Sequence, residues 1–559
     1  MKKNIQLLFY LIGCIIIIGC LYHFALTGID DANIYFVYMK NFATGNGFVY
    51  NIGGEKVEGF TSILWTLIGS CIFKFTNKIE ISLFLINCIL IFSSLKIAIN
   101  IIQLFKTINN TKNYYEVLFL GLLIVFPGFY DWTIFSLLET GLWTFELTLF
   151  TYLLIIPYFK NQFSFQKSTM TLTLLFPFFI ITRPESILLA IIFISIRFLQ
   201  LFLENKSYKF IFYQLLPLLL VFIISIFTLT AWRLYYFGYP LPNTFYVKMS
   251  DGFLNNILEG FIYLIKYIIR YNPLIILFFC LIIYWIWNTI KEKRLSNYSI
   301  ILLTITIIST IGIGIPFYTG GDHFRMARFY QAFNPIFYLN LIMILHLLST
   351  QHKFLNKFFS SNIYVVLLLI ILSFTPIKNI YSLFINKKHS IAIEFDIAKE
   401  GRATGEQLNV FFNSSKKPSI AVITAGGIAY TYAGFVNDVL GLNNTEVAHN
   451  ISDRPKNIIK GHRAFNKEIF LKQEPDLFLF EFVSDTINYI PIAKRDYFIN
   501  GFGGKVIKHI YKDTTFLKMY ANVYLINKQT SKVLCTYASK EFLEKLSSKE
   551  YEIRYLSAN

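Results

Sequence analysis

Charged residues are scarce in this sequence of 559 residues, which excludes a soluble globular protein of ordinary composition. Asp, Glu, Lys and Arg together make up only 15%, whereas soluble globular domains carry about a quarter. Hydrophobic residues make up 55%, and the mean hydropathy is +0.53. These values exclude an ordinary soluble enzyme and a disordered chain. The length fits a large membrane domain followed by one soluble domain.

Cysteine is also rare, with six residues in the chain. No CxxC pair and no Cys/His cluster occurs in the sequence, so neither a disulfide framework nor a zinc site is indicated. Five cysteines lie in apolar stretches, and only Cys535 lies in a polar region. No Ser-His-Asp order, H-E-x-x-H motif or P-loop is present, so a hydrolase or an ATP-driven activity has no support.

The net charge of +18 is divided between residues 1–384, with +12, and residues 385–559, with +6, and much of the +12 lies in short loops between apolar runs, as the positive-inside rule expects. No basic stripe with interleaved aromatic residues occurs in the polar part of the chain, so no nucleic-acid partner is indicated. Anionic lipid head groups or lipid phosphates are the better explanation of the positive charge. A lipid bilayer is therefore the first predicted partner.

Eleven apolar runs have spanning or near-spanning length. They are residues 5–27, 80–104, 115–127, 139–158, 169–182, 184–203, 211–236, 273–290, 297–316, 330–349 and 362–382. A twelfth run, 60–75, breaks the Lys/Arg pattern of the loops if it spans. We therefore predict that it is a juxtamembrane helix at the outer face. The sequence predicts a polytopic α-helical membrane protein with a cytoplasmic N-terminus.

This topology divides the chain into a membrane domain, 1–384, and a mixed α/β domain, 385–559, outside the cytoplasm. The membrane domain has a long first outer loop, 28–79. In the C-terminal domain, Ser419 to Thr424 and Asp476 to Phe482 are predicted strands, and Ser539 to Leu546 is a predicted short helix. Gly426 and Gly427 are predicted to form a turn without a nucleotide-binding role.

The candidate site residues all fall on the outer side under this topology. Asp30 and Asp31 stand at the outer end of the first helix, where carboxylates are expensive to desolvate. They are candidates for a general base. Candidates for contacts to substrate or phosphate are Glu58, Glu139, Arg183, Glu185, Lys248, Asp322, His323, Arg325 and Arg328.

Each candidate also has a purely structural interpretation. The aspartates could cap a helix or interact with the positive end of its dipole. Arg183 and Glu185 could form a lone ion pair. Lys248 could be a snorkelling residue, and the charges of 322–328 could anchor the interface. The residues leave these alternatives open, and the coincidence of so many candidates on one face favours a site.

Three motifs resemble the first loop of the GT-C membrane glycosyltransferases, in the branch of the terminal arabinofuranosyltransferase AftB and the LphB-like proteins. They are D-D-A-x-I-x-F-x-Y from Asp30, G-x-G-F-V-Y-N from Gly45 and V-E-G-F-T-S-x-L-W from Val57. The resemblance continues through the segments around Glu139, 182–185, 238–248, 320–329 and 430–442. It therefore spans most of the chain in order.

The resemblance implies a polyprenyl-phosphate-linked sugar as donor and a cell-envelope glycan or glycoconjugate, such as lipopolysaccharide, as acceptor. It implies an inverting transfer at the outer face of the bacterial cytoplasmic membrane, with Asp30 or Asp31 as base. A pentofuranose is among the sugars it implies. A monophosphate leaving group needs no cofactor, although an acidic loop could bind a divalent cation. A flippase for lipid-linked sugars and a non-catalytic scaffold remain the alternatives.

Overall fold

The computed structural model describes residues 26–108, 113–126, 128–159, 163–248, 252–292, 296–373, 391–413, 417–450, 461–483, 495–499 and 501–556, and single residues 10, 13, 14, 17 and 458. The predicted first span, 5–27, lies almost wholly outside the described residues. Helices fill the chain up to residue 373, and a mixed sheet with short helices follows from residue 391.

The helices of the first part are α1 (Asp30–Ala43), α2 (Ile63–Phe75), α3 (Ile79–Ile108), α4 (Tyr115–Val125), α5 (Thr140–Ile155), α6 (Phe165–Thr182), α7 (Ser186–Leu203), α8 (Tyr208–Phe237), α9 (Asn243–Lys248), α10 (Phe253–Arg270), α11 (Leu274–Glu292), α12 (Asn297–Thr319), α13 (Arg328–Gln331), α14 (Asn334–Gln351), α15 (Lys353–Phe359) and α16 (Asn362–Ser373). A π-helical turn, Asp131–Phe135, precedes α5.

Six described helices are long and apolar enough to cross a membrane, or seven if the bent pair α15 and α16 forms one span. The six correspond to the predicted runs 80–104, 139–158, 184–203, 211–236, 273–290 and 297–316. The runs 115–127, 169–182 and 330–349 also form helices, but these lie outside the set of six. The chain is thus a polytopic helical membrane protein, and the count of eleven spans stays a prediction.

The C-terminal elements are α17 (Ala392–Phe411), β1 (Ile420–Val422), α18 (Gly427–Thr431), β2 (Val436–Asp438), α19 (Thr445–His449), α20 (Lys467–Gln473), β3 (Leu477–Val483), α21 (Asp496–Ile499), α22 (Phe502–Val506), α23 (Thr514–Met519), β4 (Tyr520–Asn527), β5 (Val533–Ser539), α24 (Lys540–Lys545) and β6 (Tyr551–Tyr555). The sheet order is β2-β1-β3-β5-β4-β6. β1 pairs in parallel with β2 and β3, and the other pairs are antiparallel.

The segment 28–79 packs against the C-terminal domain, which fixes the helix that carries the two aspartates. The Arg402 guanidinium of α17 donates to Asn33 Oδ1 at 2.6 Å, to Glu80 Oε1 at 2.7 Å and to the Thr27 carbonyl at 3.1 Å. The Tyr38 hydroxyl donates to Asn443 Oδ1 at 3.0 Å. The start of α1 is therefore held between α3 and the C-terminal domain.

Candidate functional site

Helix α1 begins at Asp30, and both aspartates occupy its first turn. Gly28 precedes it with a φ of +68°, and a Cβ there would lie 3.1 Å from the Ala32 side chain. Carboxylates in a first turn are favoured by the helix dipole. Consecutive helical residues point about 100° apart. The two carboxylates accordingly meet different neighbours.

Asp30 contacts the C-terminal domain through the turn formed by Gly426 and Gly427. The backbone N–H of Gly426 donates to Oδ2 at 3.0 Å, and that of Gly427 donates to Oδ1 at 2.8 Å. Burial raises the pKa of Asp30 to about 6, with repulsion from Asp31 and Asp438 adding to it, although the two donors oppose the shift. The carboxylate is thus fixed in place.

Asp31 pairs with Arg328, which also pairs with Asp322. Arg328 Nη1 lies 3.2 Å from Asp31 Oδ2, and Arg328 Nε lies 2.9 Å from Asp322 Oδ2. The Asp31 side chain is 31% exposed, and its Oδ1 accepts no hydrogen bond from any described residue. Burial alone would raise the pKa of Asp31, but Arg328, Lys248 and His323 hold it below its ordinary value. Asp31 therefore stays ionised and accessible.

Arg328 follows a strained piece of backbone and is packed among aromatic rings. Met326 and Ala327 have φ values of +59° and +50°, and such conformations cost roughly 1–3 kcal/mol each in a non-glycine residue. The guanidinium lies 4.3 Å from the Phe324 ring centroid and 5.6 Å from that of Trp132. Strain that is kept next to a buried cation is typical of a functional site.

Lys248 ends α9 beside this group. Its ammonium makes no hydrogen bond or ion pair within the part of the chain that the structure describes. Burial lowers its pKa, and Arg328 and Arg183 add to this, while Asp31 and Asp322 oppose it. The described site thus contains a positive charge that no direct partner neutralises.

Arg183 is already neutralised by two carboxylates. Its Nη1 lies 2.6 Å from Glu139 Oε1, and its Nε and Nη2 lie 3.2 and 3.1 Å from the two oxygens of Glu185. The guanidinium lies 4.8 Å from the Trp143 ring centroid. This arrangement follows the ion-pair alternative for 183 and 185, with Glu139 as a third member.

Glu58 forms a separate buried ion pair with Arg233. Both carboxylate oxygens accept hydrogen bonds from Arg233 at 2.8 Å, and both side chains are buried. Burial raises the pKa of Glu58, although Arg233 opposes the shift. The pair ties the first loop to the end of α8, so Glu58 has a structural partner rather than an open face.

His323 and Arg325 are exposed at the edge of the site. The His323 ring stacks on Phe324 at 4.2 Å and meets His462 of the C-terminal domain edge-on at 4.8 Å. The Arg325 carbonyl accepts a hydrogen bond from Trp132 Nε1 at 3.0 Å. The structure therefore joins Asp31, Asp322, His323, Arg328 and Lys248 in one group.

Sequence reasoning missed three contributions from the C-terminal domain. Gly426 and Gly427 hold Asp30, and Arg402 holds α1 in place. Glu394 of α17 lies close enough to the aspartates that burial, Asp31 and Asp30 raise its pKa to about 7. The glycine pair after a predicted strand was the only local signal. Among the described residues, no group of three His, Cys, Asp or Glu side chains is placed to hold a metal ion.

Neither a family model nor a curated protein matches the chain. Among solved structures, it is similar to the Archaeoglobus fulgidus oligosaccharyltransferase in complex with Zn and sulfate, with 12% identity and a TM-score of 0.43 over 94% of this chain and 70% of that one. The apo form of that enzyme gives 12% identity and a TM-score of 0.44 over 92% of this chain and 71% of that one. The same organism's oligosaccharyltransferase AglB, in complex with an inhibitory peptide and a dolichol-phosphate, gives 11% identity and a TM-score of 0.42 over 94% of this chain and 72% of that one.

Proposed function

We propose that this chain is a membrane glycosyltransferase of the GT-C type that uses a polyprenyl-phosphate sugar. One observation carries the proposal: an accessible carboxylate, Asp31, lies beside Arg328 and beside Lys248, whose ammonium pairs with no described residue, in a chain with six candidate membrane-spanning helices. Transfer from a lipid phosphate requires a base for the acceptor and cations for the leaving group. The acceptor that we propose is a glycan of the cell envelope.

The phosphate of the donor fits best between Lys248 and Arg328. Arg328 uses Nε and Nη1 for Asp322 and Asp31, and its Nη2 has no hydrogen-bond partner among the described residues. Nη2 and the Lys248 ammonium can therefore donate hydrogen bonds to phosphate oxygens, whose negative charge grows as the bond between sugar and phosphate breaks. Arg183 contributes only its positive electrostatic potential, because its guanidinium already donates its hydrogen bonds to Glu139 and Glu185.

The acceptor hydroxyl attacks the anomeric carbon as the bond from that carbon to the phosphate oxygen breaks. The hydroxyl proton passes to Asp31, and the polyprenyl phosphate leaves with the electron pair. A single displacement of this kind inverts the anomeric centre. We assign the base to Asp31 because its Oδ1 is open, whereas the Gly426 and Gly427 amides engage both oxygens of Asp30. Asp30 is then a positioning residue.

The location that we propose is the bacterial cytoplasmic membrane, with the domain after residue 384 on its outer face. The start of α1 and the end of α9 would then face the outer side, where a lipid-linked donor can enter sideways from the bilayer. A pentofuranose is the first sugar to test, on the resemblance to the arabinofuranosyltransferase branch. Lipopolysaccharide is one acceptor to include.

The test is sugar transfer by the purified protein in nanodiscs, with a panel of radiolabelled polyprenyl-phosphate sugars and cell-envelope extract as acceptor. We expect Asp31→Asn to lower kcat by roughly 100-fold or more, as loss of a general base does. Lys248→Ala should raise the KM for the donor. Asp396→Asn is the matched control, since Asp396 is an exposed carboxylate on α17.

Three outcomes would contradict the proposal in different ways. Transfer that Asp31→Asn leaves unchanged would remove the assigned base but keep the enzyme. Movement of lipid-linked sugar across proteoliposomes without transfer would make the protein a flippase. Absence of both, with a folded protein that still binds envelope glycan, would make it a scaffold.

A further inference from the structure

A groove of about 520 Å³ separates the first outer loop from the C-terminal domain. Residues 50–57 form one wall, and the edge strand β2 with the turn that follows it forms the other. Small-molecule sites commonly have volumes of about 300–1,000 Å³. The groove is therefore large enough for one or two sugar rings.

The lining is rich in carboxylates and carboxamides, and none of its described residues is Lys, Arg or His. The carboxylates are Glu55, Asp438 and Glu446. Such a lining repels anions, whereas carboxylates and amides hydrogen-bond readily to hydroxyl groups. The chemistry therefore selects a neutral, hydroxyl-rich ligand and rejects the donor phosphate, which needs the cations around Arg328.

Phe435, which directly precedes the edge strand β2, and Asn437 within that strand give the groove a specific contact surface. Phe435 and Asn437 are two positions apart, so they share one face of the strand. The Phe435 side chain is 44% exposed, and the Asn437 amide makes no hydrogen bond to any residue that the structure describes. An exposed ring can cover the apolar face of a sugar, and an unpaired amide can both donate to and accept from neighbouring hydroxyls.

The inner end of the groove adjoins the Asp30 contact. Asp438 lines the groove and lies close enough to Asp30 to raise its pKa. The hydroxyl of Tyr50, another lining residue, donates to the carbonyl of Ala425. Ala425 directly precedes the Gly426–Gly427 turn that holds Asp30. The groove wall is thus joined directly to the turn that holds Asp30.

We propose that this groove binds the neutral end of the acceptor glycan, with Phe435 as the stacking contact and Asn437 as the hydrogen-bonding contact. The assignment of the ligand as acceptor rests on the proposed function. It places donor and acceptor in separate electrostatic environments that meet at Asp30 and Asp31. The acceptor hydroxyl nearest the aspartates is then the one that reacts.

The first test is binding without donor, by the full chain in nanodiscs. The probes are neutral gluco-, manno-, galacto- and arabino-oligosaccharides and one uronic-acid oligomer. We expect a neutral oligosaccharide to bind, and Phe435→Ala and Asn437→Ala each to weaken its Kd by about five- to tenfold, as loss of one contact does. Tyr555→Ala is the control, because Tyr555 is a 70% exposed ring on β6, the opposite edge of the sheet.

Equal binding by the wild type and both groove variants would overturn the proposal, as would binding of the uronic-acid oligomer alone or of none of the probes. A second test separates this proposal from the proposed function. In the transfer assay, Phe435→Ala should raise the KM for the acceptor by about tenfold, whereas Tyr555→Ala should leave that KM as in the wild type. Transfer with an unchanged acceptor KM would refute the groove alone, whereas groove-dependent binding without any transfer would refute the enzyme alone.

Discussion

Gly426→Ala tests whether the C-terminal domain positions the aspartates. A Cβ at residue 426 would lie 1.9 Å from the Asp30 carbonyl oxygen and 2.8 Å from its carboxyl carbon. Real Cβ atoms do not approach other heavy atoms within 3.0 Å. The turn must therefore withdraw by about 1 Å or more, which breaks the hydrogen bonds from Gly426 and Gly427 to Asp30.

Hydrogen bonds to a charged group contribute about 1.5–3 kcal/mol each to stability. Water recovers part of the loss at two broken bonds, so we expect local docking to weaken by about 3 kcal/mol. That value corresponds to roughly a hundredfold increase in the opening equilibrium. Hydrogen–deuterium exchange should show it as faster exchange of the backbone amides at 426 and 427 and in the first turn of α1. Transfer should fall by at least about tenfold, because misplacement of a catalytic group by 1 Å is costly.

Gly314→Ala is the matched control, since a Cβ at residue 314 meets no heavy atom within 4 Å. It should leave both exchange and transfer as in the wild type. If Gly426→Ala exchanges within about threefold of the wild type at these amides and transfers sugar at the wild-type rate, the contact does not position Asp30. The assignment of Asp30 as a positioning residue would then be wrong.

Three further predictions concern charges. The pH profile of kcat/KM should stay flat on its acid side from pH 8 to about 5, because Arg328, Lys248 and His323 hold the pKa of Asp31 below its ordinary value, which already lies under that range; an acid limb with its midpoint near 6 would assign the base to Asp30 instead. Glu58→Gln should destabilise the fold by about 3–5 kcal/mol, because it leaves Arg233 buried and unpaired; thermal unfolding in detergent measures this, and unchanged stability would contradict the ion pair. Arg402→Gln should loosen α1 and speed its amide exchange, and exchange as in the wild type would contradict its anchoring role.

Local pattern was enough to predict several elements of the C-terminal domain. The predicted strands at 419–424 and 476–482 are confirmed as Ile420–Val422 and Leu477–Val483, and the predicted helix at 539–546 is confirmed as Lys540–Lys545. Short β-rich runs next to turn residues, and a capping serine, carry enough local information. The strands Tyr520–Asn527 and Val533–Ser539 were not predicted, although they form the longest pairing of the sheet.

The helix start after Glu58 also follows from local chemistry. Ser62 caps Ile63–Phe75 by accepting a hydrogen bond from the Trp65 amide at 3.1 Å. The role of Glu58 itself does not follow from local pattern. Its partner Arg233 is 175 positions away along the chain, and nothing near either residue indicates the pairing.

The candidate site illustrates the same limit on a larger scale. Asp31 and Arg328 are 297 positions apart, and Asp30 and Gly426 are 396 apart. The sequence indicates that such residues share the outer side, because membrane spans restrict where loops can lie. It does not indicate which cations are already neutralised. That distinction decides the chemistry, since Arg183 forms direct ion pairs with two carboxylates, whereas Lys248 forms none with any described residue.

The separation of charge around the two aspartates explains why one carboxylate is open and the other is fixed. A phosphate beside Arg328 and Lys248 competes with Asp31 for the same cations, so binding of donor would loosen the ion pair and make Asp31 a stronger base. Asp30 pairs with no cation among the residues that the structure describes, and backbone N–H groups hold it instead. Asp30 therefore keeps α1 and the groove wall in fixed positions relative to each other while the ion pair of Asp31 changes. An acidic groove for a neutral ligand beside Asp30 and a cationic site beside Asp31 follow from this division of roles.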